Sequence, residues 1–408
     1  IASDAFDFLK NSNTISYLKF RGGWSKVGQV NLGPYSLLPT FGQANGFPFG
    51  SNAGFTVGNT LVSKDLKPEM TSGYEAGFDL NLFNDRFTSN LTWFHTNTTN
   101  QTVSTGVSGT TGFTSLRTNT GETMSEGLEV TAHVTPIQTK DLSVTIGGNY
   151  AYLTNTVLSI SADIPRLGLG GASYAVAGQP FPIIMGFDYK RSPDGRVIVD
   201  AATGIPQQSD TISNLGNATA AHKLSLDGTI KYKKFTLAFL FEYRGGYNIY
   251  SSMGSSIDWS GTSWRTAQYD RMRFVFPNSV IADPANPGKY ITNTNISVPN
   301  GNGNNGFWSD NINRSVTSNY THSGDFWKLR ELAVSYDLPS KLLAKSKFIK
   351  GCTLSVQGRN LLVWMAPDNY YTDPEYGASG GSGGNGVGIS GLQTPPSRYY
   401  GATVSFKF

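Results

Sequence analysis

A few side chains in this sequence have the types and spacing that chemistry would need. Gly377-Ala378-Ser379-Gly380-Gly381 and the overlapping Gly380-Gly381-Ser382-Gly383-Gly384 both fit G-x-S-x-G, the turn on which many hydrolases present a serine nucleophile. That turn works as a strand-to-helix elbow, and here the pattern lies in a Gly/Ser stretch with neither element beside it, so it reads as a loop. Asp373 and Glu375 are the spacing of a carboxylate pair, and glycoside hydrolysis requires two carboxyl groups at a set separation. With Pro374 between them they are expected to be solvated turn acids. His95, His133, His222 and His322 lack the H-x-x-x-H spacing of a metal site, and Cys352 is the only cysteine, so no thiolate cluster or internal disulfide can form. No Gly-rich phosphate loop leads into a helix. The expectation is a protein that is not an enzyme, with no cofactor and no metal. Binding has better material: Trp259, Trp264, Tyr269, Trp308, Tyr370 and Tyr371 stand among Asn and Asp residues, and flat rings beside hydrogen-bonding groups suit sugars or extended peptides, while the same rings could equally pack the loops against each other and against a protein lid.

The elements that would carry these rings follow from pattern. The 408 residues are only 15% charged and rich in Gly (47), Phe (24) and Tyr (20), a mixture for many strands and polar loops. No run approaches the roughly 18 apolar residues of a membrane-spanning helix. The +4 formal charge is spread without basic blocks, so nucleic acid is not an expected partner. From Arg398 to Phe408, Tyr400, Ala402, Val404, Phe406 and Phe408 alternate with small or polar residues, the period of a strand with one oily side and one wet side.

The same period recurs along the chain. Strands are predicted over Tyr17–Val27, Thr71–Leu82, Phe87–Asn97, Met124–Val134, Leu142–Tyr152, His222–Tyr232, Phe235–Tyr243, Phe326–Leu338, Cys352–Leu362 and Arg398–Phe408. Short links alternate with long ones: Phe83 to Arg86, Pro136 to Asp141, Lys233-Lys234 and a helical turn from Pro339 to Lys347 on one side. The long excursions run over Gln29–Pro68, Thr98–Thr123, Thr154–Ala221, Gly245–Asp325 and Val363–Ser397. Ile184–Tyr189 and Arg196–Asp200 are expected to pair as a small hairpin inside the third of these. Ala2–Asn11 reads as a short amphipathic helix, within a connector covering residues 1–16; residues 17–408 hold the strands and loops.

Alternating short turns and long loops are the signature of an outer-membrane barrel. With directions assigned, Trp24, Tyr74, Trp93, Tyr152, Tyr243 and Tyr400 fall at the outer rim and Phe87, Tyr232, Phe235 and Phe408 at the inner one, the two levels where amphipathic rings collect. Glu75, Asp79, Glu129, Lys223, Asp227, Lys231, Glu242, Glu331, Asp337, Arg359 and Lys407 all take the wet parity. Lys26, Lys328, Arg330 and Arg398 take the oily parity at outer strand ends, at the level of Glu126, where either lipid and lipopolysaccharide phosphates or simple solvation above the membrane is expected.

Phe326-Trp327-Lys328-Leu329-Arg330-Glu331-Leu332-Ala333-Val334-Ser335-Tyr336-Asp337-Leu338-Pro339, Val356-Gln357-Gly358-Arg359-Asn360-Leu361-Leu362-Val363-Trp364, Asp373-Pro374-Glu375, Gly178-Gln179-Pro180, Arg273 to Val280 and Ser397-Arg398-Tyr399-Tyr400-Gly401 together resemble the C-terminal barrel region of the SusC/RagA family. The resemblance covers nearly the whole chain. It implies a TonB-dependent outer-membrane transporter with a barrel of about 22 strands, a plug, a TonB box and a SusD-like surface lipoprotein as lid. The plug, the TonB box and about half the strands are not in this sequence, and ten strands cannot close so wide a barrel. The expectation is therefore the C-terminal segment of a longer chain, with cleavage as the other route.

The fold expected is all-β, about ten antiparallel transmembrane strands of such a barrel, and the activity import of an oligosaccharide or peptide in the cell outer membrane. A secreted soluble β-sandwich or propeller adhesin with the same aromatic loops is the alternative, in which the oily face would pack on a second layer of protein.

Overall fold

The computed structural model describes residues 12, 14–30, 32–160, 165–299, 306–344, 346, 348–375, 387–391 and 396–408. The expected helix over Ala2–Asn11 and both G-x-S-x-G stretches lie outside the described residues.

Ten long strands form one antiparallel wall in chain order: β1 (Ile15–Gln29), β2 (Glu69–Leu82), β3 (Phe87–Gly106), β4 (Ser115–Gln138), β5 (Leu142–Ser159), β6 (His222–Tyr232), β7 (Phe235–Gly245), β8 (Phe326–Asp337), β9 (Gly351–Met365) and β10 (Tyr399–Lys407). The wall is open, with β1 and β10 at its two edges. Pairing keeps the alternation aligned across strands. Phe20 stands opposite Phe78 and Trp24 opposite Tyr74; Leu226 stands opposite Phe241 and Ile230 opposite Leu237. A slip of one residue would turn every oily side chain to the other face, so this match holds the register.

The tight links form as expected. Phe83, Asn84 and Asp85 all take left-handed backbone, and the Arg86 amide donates back to the Phe83 carbonyl at 3.3 Å. Lys233, also left-handed, closes a two-residue link beyond the Tyr232–Phe235 pair. Ser340–Leu343 makes the short helix after Pro339.

The two faces of the wall differ as the parity predicts. On one, Phe20, Trp24, Tyr74, Trp93, Ile146, Leu226, Tyr232, Phe235, Val334, Val356 and Phe406 are exposed, and among the described residues no second layer covers them. The sandwich alternative needed such a layer. The other face carries a polar ladder across strands. Arg21 pairs with Asp79 at 3.2 Å and donates to Thr92. Asn149 links Thr131 (2.6 Å) to Ser225 (3.0 Å), and His133 Nε2 donates to Asp227 at 3.1 Å. Paired polar groups on a wet face satisfy one another without burying charge.

Four expectations about the strands are corrected. The Thr/Gly/Ser stretch from Thr98 to Thr123 is strand through Gly106 and again from Ser115, paired from Thr98↔Thr123 up to Gly106↔Ser115. These residues are mostly Thr, Ser, Asn and Gln at both parities, so alternation disappears while β-branched Thr still favours extended chain. Ile183–Tyr189 pairs with Gln208–Asn217 instead of Arg196–Asp200, in a sheet completed by Ser173–Val176 and Arg166–Gly170; Val197–Ile198 joins Ser279–Ala282 in parallel. Gln29–Pro68 contains three short strands, the last of which, Thr60–Val62, lies parallel to β4.

The fourth correction concerns charge. Lys328 and Arg330 were expected on the oily side, but a bulge between Leu329 and Glu331 shifts the parity of β8. Leu329 and Trp327 then face outward opposite Phe241 and Tyr243, and Lys328 faces inward opposite Glu242. A bulge puts two residues against one and rotates everything beyond it, which strict alternation cannot anticipate. Lys26 and Arg398 are exposed.

The buried apolar residues belong mainly to the outer excursions. Ile184 packs with Ala172 and Ala218. Val298, Phe307 and Trp308 pack with Phe274 and Phe276.

Candidate binding site

A cavity of about 500 Å³ opens in this loop assembly, lined by Asp188, Tyr189, Arg191, Trp264, Arg265, Gln268, Ser318, Asn319, Thr321, His322, Asp368, Tyr370 and Tyr371. Its volume is in the ordinary range for small-molecule sites. Trp264 and Tyr370 form an aromatic wall with ring centroids 5.1 Å apart, edge to face, each about half exposed.

Behind the wall, Arg265 fills the centre of the loops. It donates to the Asn319 carbonyl at 3.2 Å and to Asn319 Oδ1 at 2.6 Å, and also to the Tyr371 hydroxyl. Its guanidinium lies 5.4 Å from the Trp308 ring and 3.6 Å from the carboxylate of Asp258, a fully buried residue of the helix Gly254–Trp259. Burial pushes the Asp258 carboxyl upward, against the pull of Arg265 and of the Ser263 hydroxyl that donates at 2.5 Å. Burial also raises the Tyr371 phenol, to about 12, so it stays a neutral donor and acceptor.

On the far side, Asp188 accepts from Ser318 at 2.6 Å and from Arg191 at 3.2 Å. Burial raises the Asp188 carboxyl, but these bonds outweigh it and hold the group below the usual range. His322 is almost wholly buried, and its Nδ1 donates to the Ser323 carbonyl at 3.1 Å. Burial lowers its imidazole, leaving a neutral ring whose Nε2 has no partner among the described residues.

Tyr370 and Tyr371 are presented by a tight turn. Asn369 Oδ1 accepts from the amides of Tyr371 (3.2 Å) and Thr372 (3.4 Å), while its Nδ2 donates to the Thr372 carbonyl at 2.8 Å. Asn is suited to this local closure because its short amide imitates a backbone turn. The turn is tied to the wall by Asp373 and Glu375. Lys328 Nζ, on a residue only 3% exposed, donates to Asp373 at 2.7 Å and to Glu375 at 2.5 Å. Arg330 reaches Glu375 at 2.5 Å and Glu242 at 2.5 Å; Arg244 reaches Glu242 at 2.6 Å and Glu375 at 3.1 Å. Three cations meet three carboxylates, so the cluster is balanced. Burial raises the Glu375 carboxyl, but Arg330 and Lys328 overcome it and bring the group to about 2. The expectation that Asp373 and Glu375 are solvated turn acids is therefore corrected: their counter-ions come from a strand about 45 residues earlier, which local sequence does not show.

Of the six aromatic residues expected to bind, the structure gathers Trp264, Tyr370 and Tyr371 at the cavity. Trp308 is 6% exposed and packs the loop core. Tyr269 stacks on Phe274 with centroids 4.2 Å apart, and Trp259 is exposed away from the cavity lining. Sequence reasoning missed Asp188, Arg265, Asn319, His322 and Asp368, which gather only through the loop fold. Arg265, next to Trp264, is the one that adjacency could have suggested.

Residues 12–361 match the family model described as TonB dependent receptor-like, beta-barrel. The chain is 23% identical over 440 aligned positions to a TonB-dependent receptor of Formosa agariphila, covering 92% of this chain and 39% of that protein. It is 29% identical over 160 positions to the TonB-dependent receptor SusC of Bacteroides thetaiotaomicron, covering 38% of this chain and 16% of that one. Among solved structures, the RagAB peptide transporter superposes with a TM-score of 0.74 at 17% identity, over 98% of this chain and 42% of that chain. The chain thus spans about two fifths of the length of the relatives it matches throughout.

Proposed function

Because this chain belongs to the TonB-dependent receptor-like β-barrel family, we propose that it forms the C-terminal part of the barrel wall of a SusC-like outer-membrane importer for bulky nutrients, oligosaccharides or peptides. The observation that carries this reading is the uncovered apolar face over ten strands backed by a polar ladder, a division that suits hydrocarbon outside and water inside. The aromatic cavity lies among the outer loops, where a nutrient or a SusD-like lipoprotein lid would meet the transporter first. Energy would come through TonB and a plug supplied by other parts of the protein. Binding and translocation need no covalent step, and the described residues form no group of His, Cys, Asp and Glu suited to a metal.

Uptake tests the proposal. In cells carrying the full-length protein, Trp264→Ala and Tyr370→Ala should slow entry of labelled oligosaccharides or peptides at least tenfold while leaving the barrel folded. Co-purification with a SusD-like lipoprotein, measured in parallel, separates a cargo contact from a lid contact. Unchanged entry of every labelled class in cells lacking the protein would sink the importer reading.

A further inference from the structure

Asp373 and Glu375 lie two to five residues after the pair that lines the cavity, Tyr370 and Tyr371, and they are held by side chains of the barrel wall. The ties are strong in kind. Lys328 is almost fully buried, both of its carboxylate partners belong to the loop, and Arg330 joins loop Glu375 to wall Glu242. The buried Phe326 ring lies 5.0 Å from Lys328 and 5.9 Å from Arg330 and Arg244, which excludes water from one side of the cluster. The bulge in β8 is what turns Lys328 inward. Between anchor and cavity the chain has little slack. The Asp373 carboxylate accepts from the Glu375 amide at 2.9 Å, Asn369 closes the turn, and the Asp368 carboxylate accepts from the Ser323 amide at 2.9 Å.

We propose that Lys328, Arg330, Asp373 and Glu375 are positioning residues for the cavity: the ion cluster on the wall fixes the turn that holds Tyr370 against Trp264. This rests on the reading of the cavity as a binding site, and it extends that site to residues that do not line it. Breaking the cluster should move the aromatic wall while the strands stay paired. A cluster serving only barrel stability would leave the Trp264–Tyr370 contact as it is.

The test needs no knowledge of the cargo. In the full-length protein, with Cys352→Ser and any other cysteine removed, Tyr370→Cys is labelled with bimane, a fluorophore that tryptophan quenches on contact. Trp264 should quench it, and Trp264→Phe should restore emission severalfold. Glu375→Gln, Asp373→Asn and Lys328→Met should each restore at least half of that emission, with the heat-dependent gel migration of the barrel unchanged. The triple variant Lys328→Met, Asp373→Asn, Glu375→Gln leaves these three side chains neutral and keeps the test usable if a single variant does not fold. Arg330→Lys, which keeps the charge but not the two-pronged geometry, should give an intermediate value.

Emission that stays quenched in the folded triple variant overturns the proposal. Loss of uptake in Trp264→Ala with quenching intact in the cluster variants would remove this inference and leave the importer reading standing. The reverse pair of results would remove the reading of the cavity as a binding site and leave the positioning of its aromatic wall by the ion cluster standing.

Discussion

The wall and the outer loops handle apolar surface in opposite ways. In β1 to β10 many large apolar side chains point away from protein: Trp24 is 63% exposed and Phe20 57%. In the excursions between β5 and β6 and between β7 and β8 many point into protein: Ile184, Val280, Val298 and Val316 are fully covered. These two excursions are stabilised by close packing, as an ordinary water-soluble domain is. The wall is held by its hydrogen-bond ladder and register, and leaves solvation of its apolar face to hydrocarbon. The same residue type therefore has a different energetic meaning on either side of the outer rim.

Paired substitutions sharpen that contrast. Phe307→Ala, in the Val298–Trp308 cluster, should leave a cavity and cost the loops about 3–5 kcal/mol. Phe20→Ala on the wall should cost roughly half a kcal/mol, because lipid chains close over the gap. Proteolysis of the loops against heat-dependent migration of the barrel reads the two separately. Equal costs at both sites would break the distinction.

Charge inverts the order. Ile146→Arg on the outer face should destabilise the folded barrel by roughly 2–4 kcal/mol, while Thr229→Arg, on the polar face one strand away, should be close to neutral. Denaturant titration in lipid vesicles measures both. Similar values would mean that the assigned faces are wrong.

Acid should loosen the loops before the wall. Glu375 titrates near 2 when folded against an ordinary 4.5, so its contribution of roughly 3 kcal/mol is complete above pH 4.5 and is lost as pH falls toward 2. His322 has the opposite chemistry: the fold keeps it neutral while an unfolded chain takes up a proton, so its effect is a loss of stability as pH falls below about 6.5. Glu375→Gln should flatten the lower part of the loop-stability curve and His322→Phe the upper part, both read by proteolysis.

A small effect is expected at the rim as well. Trp24→Ala, beside Tyr74, should cost under about 1 kcal/mol and be visible chiefly as a changed depth of lipid-borne quenchers.

Much of the wall was legible in the sequence because its physics is local and periodic. Two-residue alternation separates hydrocarbon from water, and Phe83 to Arg86 and Lys233-Lys234 mark the returns. The expected strand ends for β6 match the structure, and each of the ten expected strands overlaps the observed one. Legibility failed where that constraint lapses. From Thr98 to Thr123 both parities are mostly polar, so extended chain resembled a loop. At β8 one bulged residue shifted the parity and sent Lys328 and Arg330 inward. In the outer loops, choosing Trp264, Tyr370 and Tyr371 over Trp259, Tyr269 and Trp308 depended on which rings the loop core consumed.

Residue order alone therefore determined that this protein is a meander of amphipathic strands with one apolar face, since that property is written in neighbours two apart. Tertiary structure decided where the charges and rings of the outer loops meet: Arg265 with Asp258 and Tyr371, Glu375 with Lys328 and Arg330. Those pairs are up to about a hundred residues apart in the chain. Their choice is made by which groups can be desolvated together, a condition that no local pattern carries.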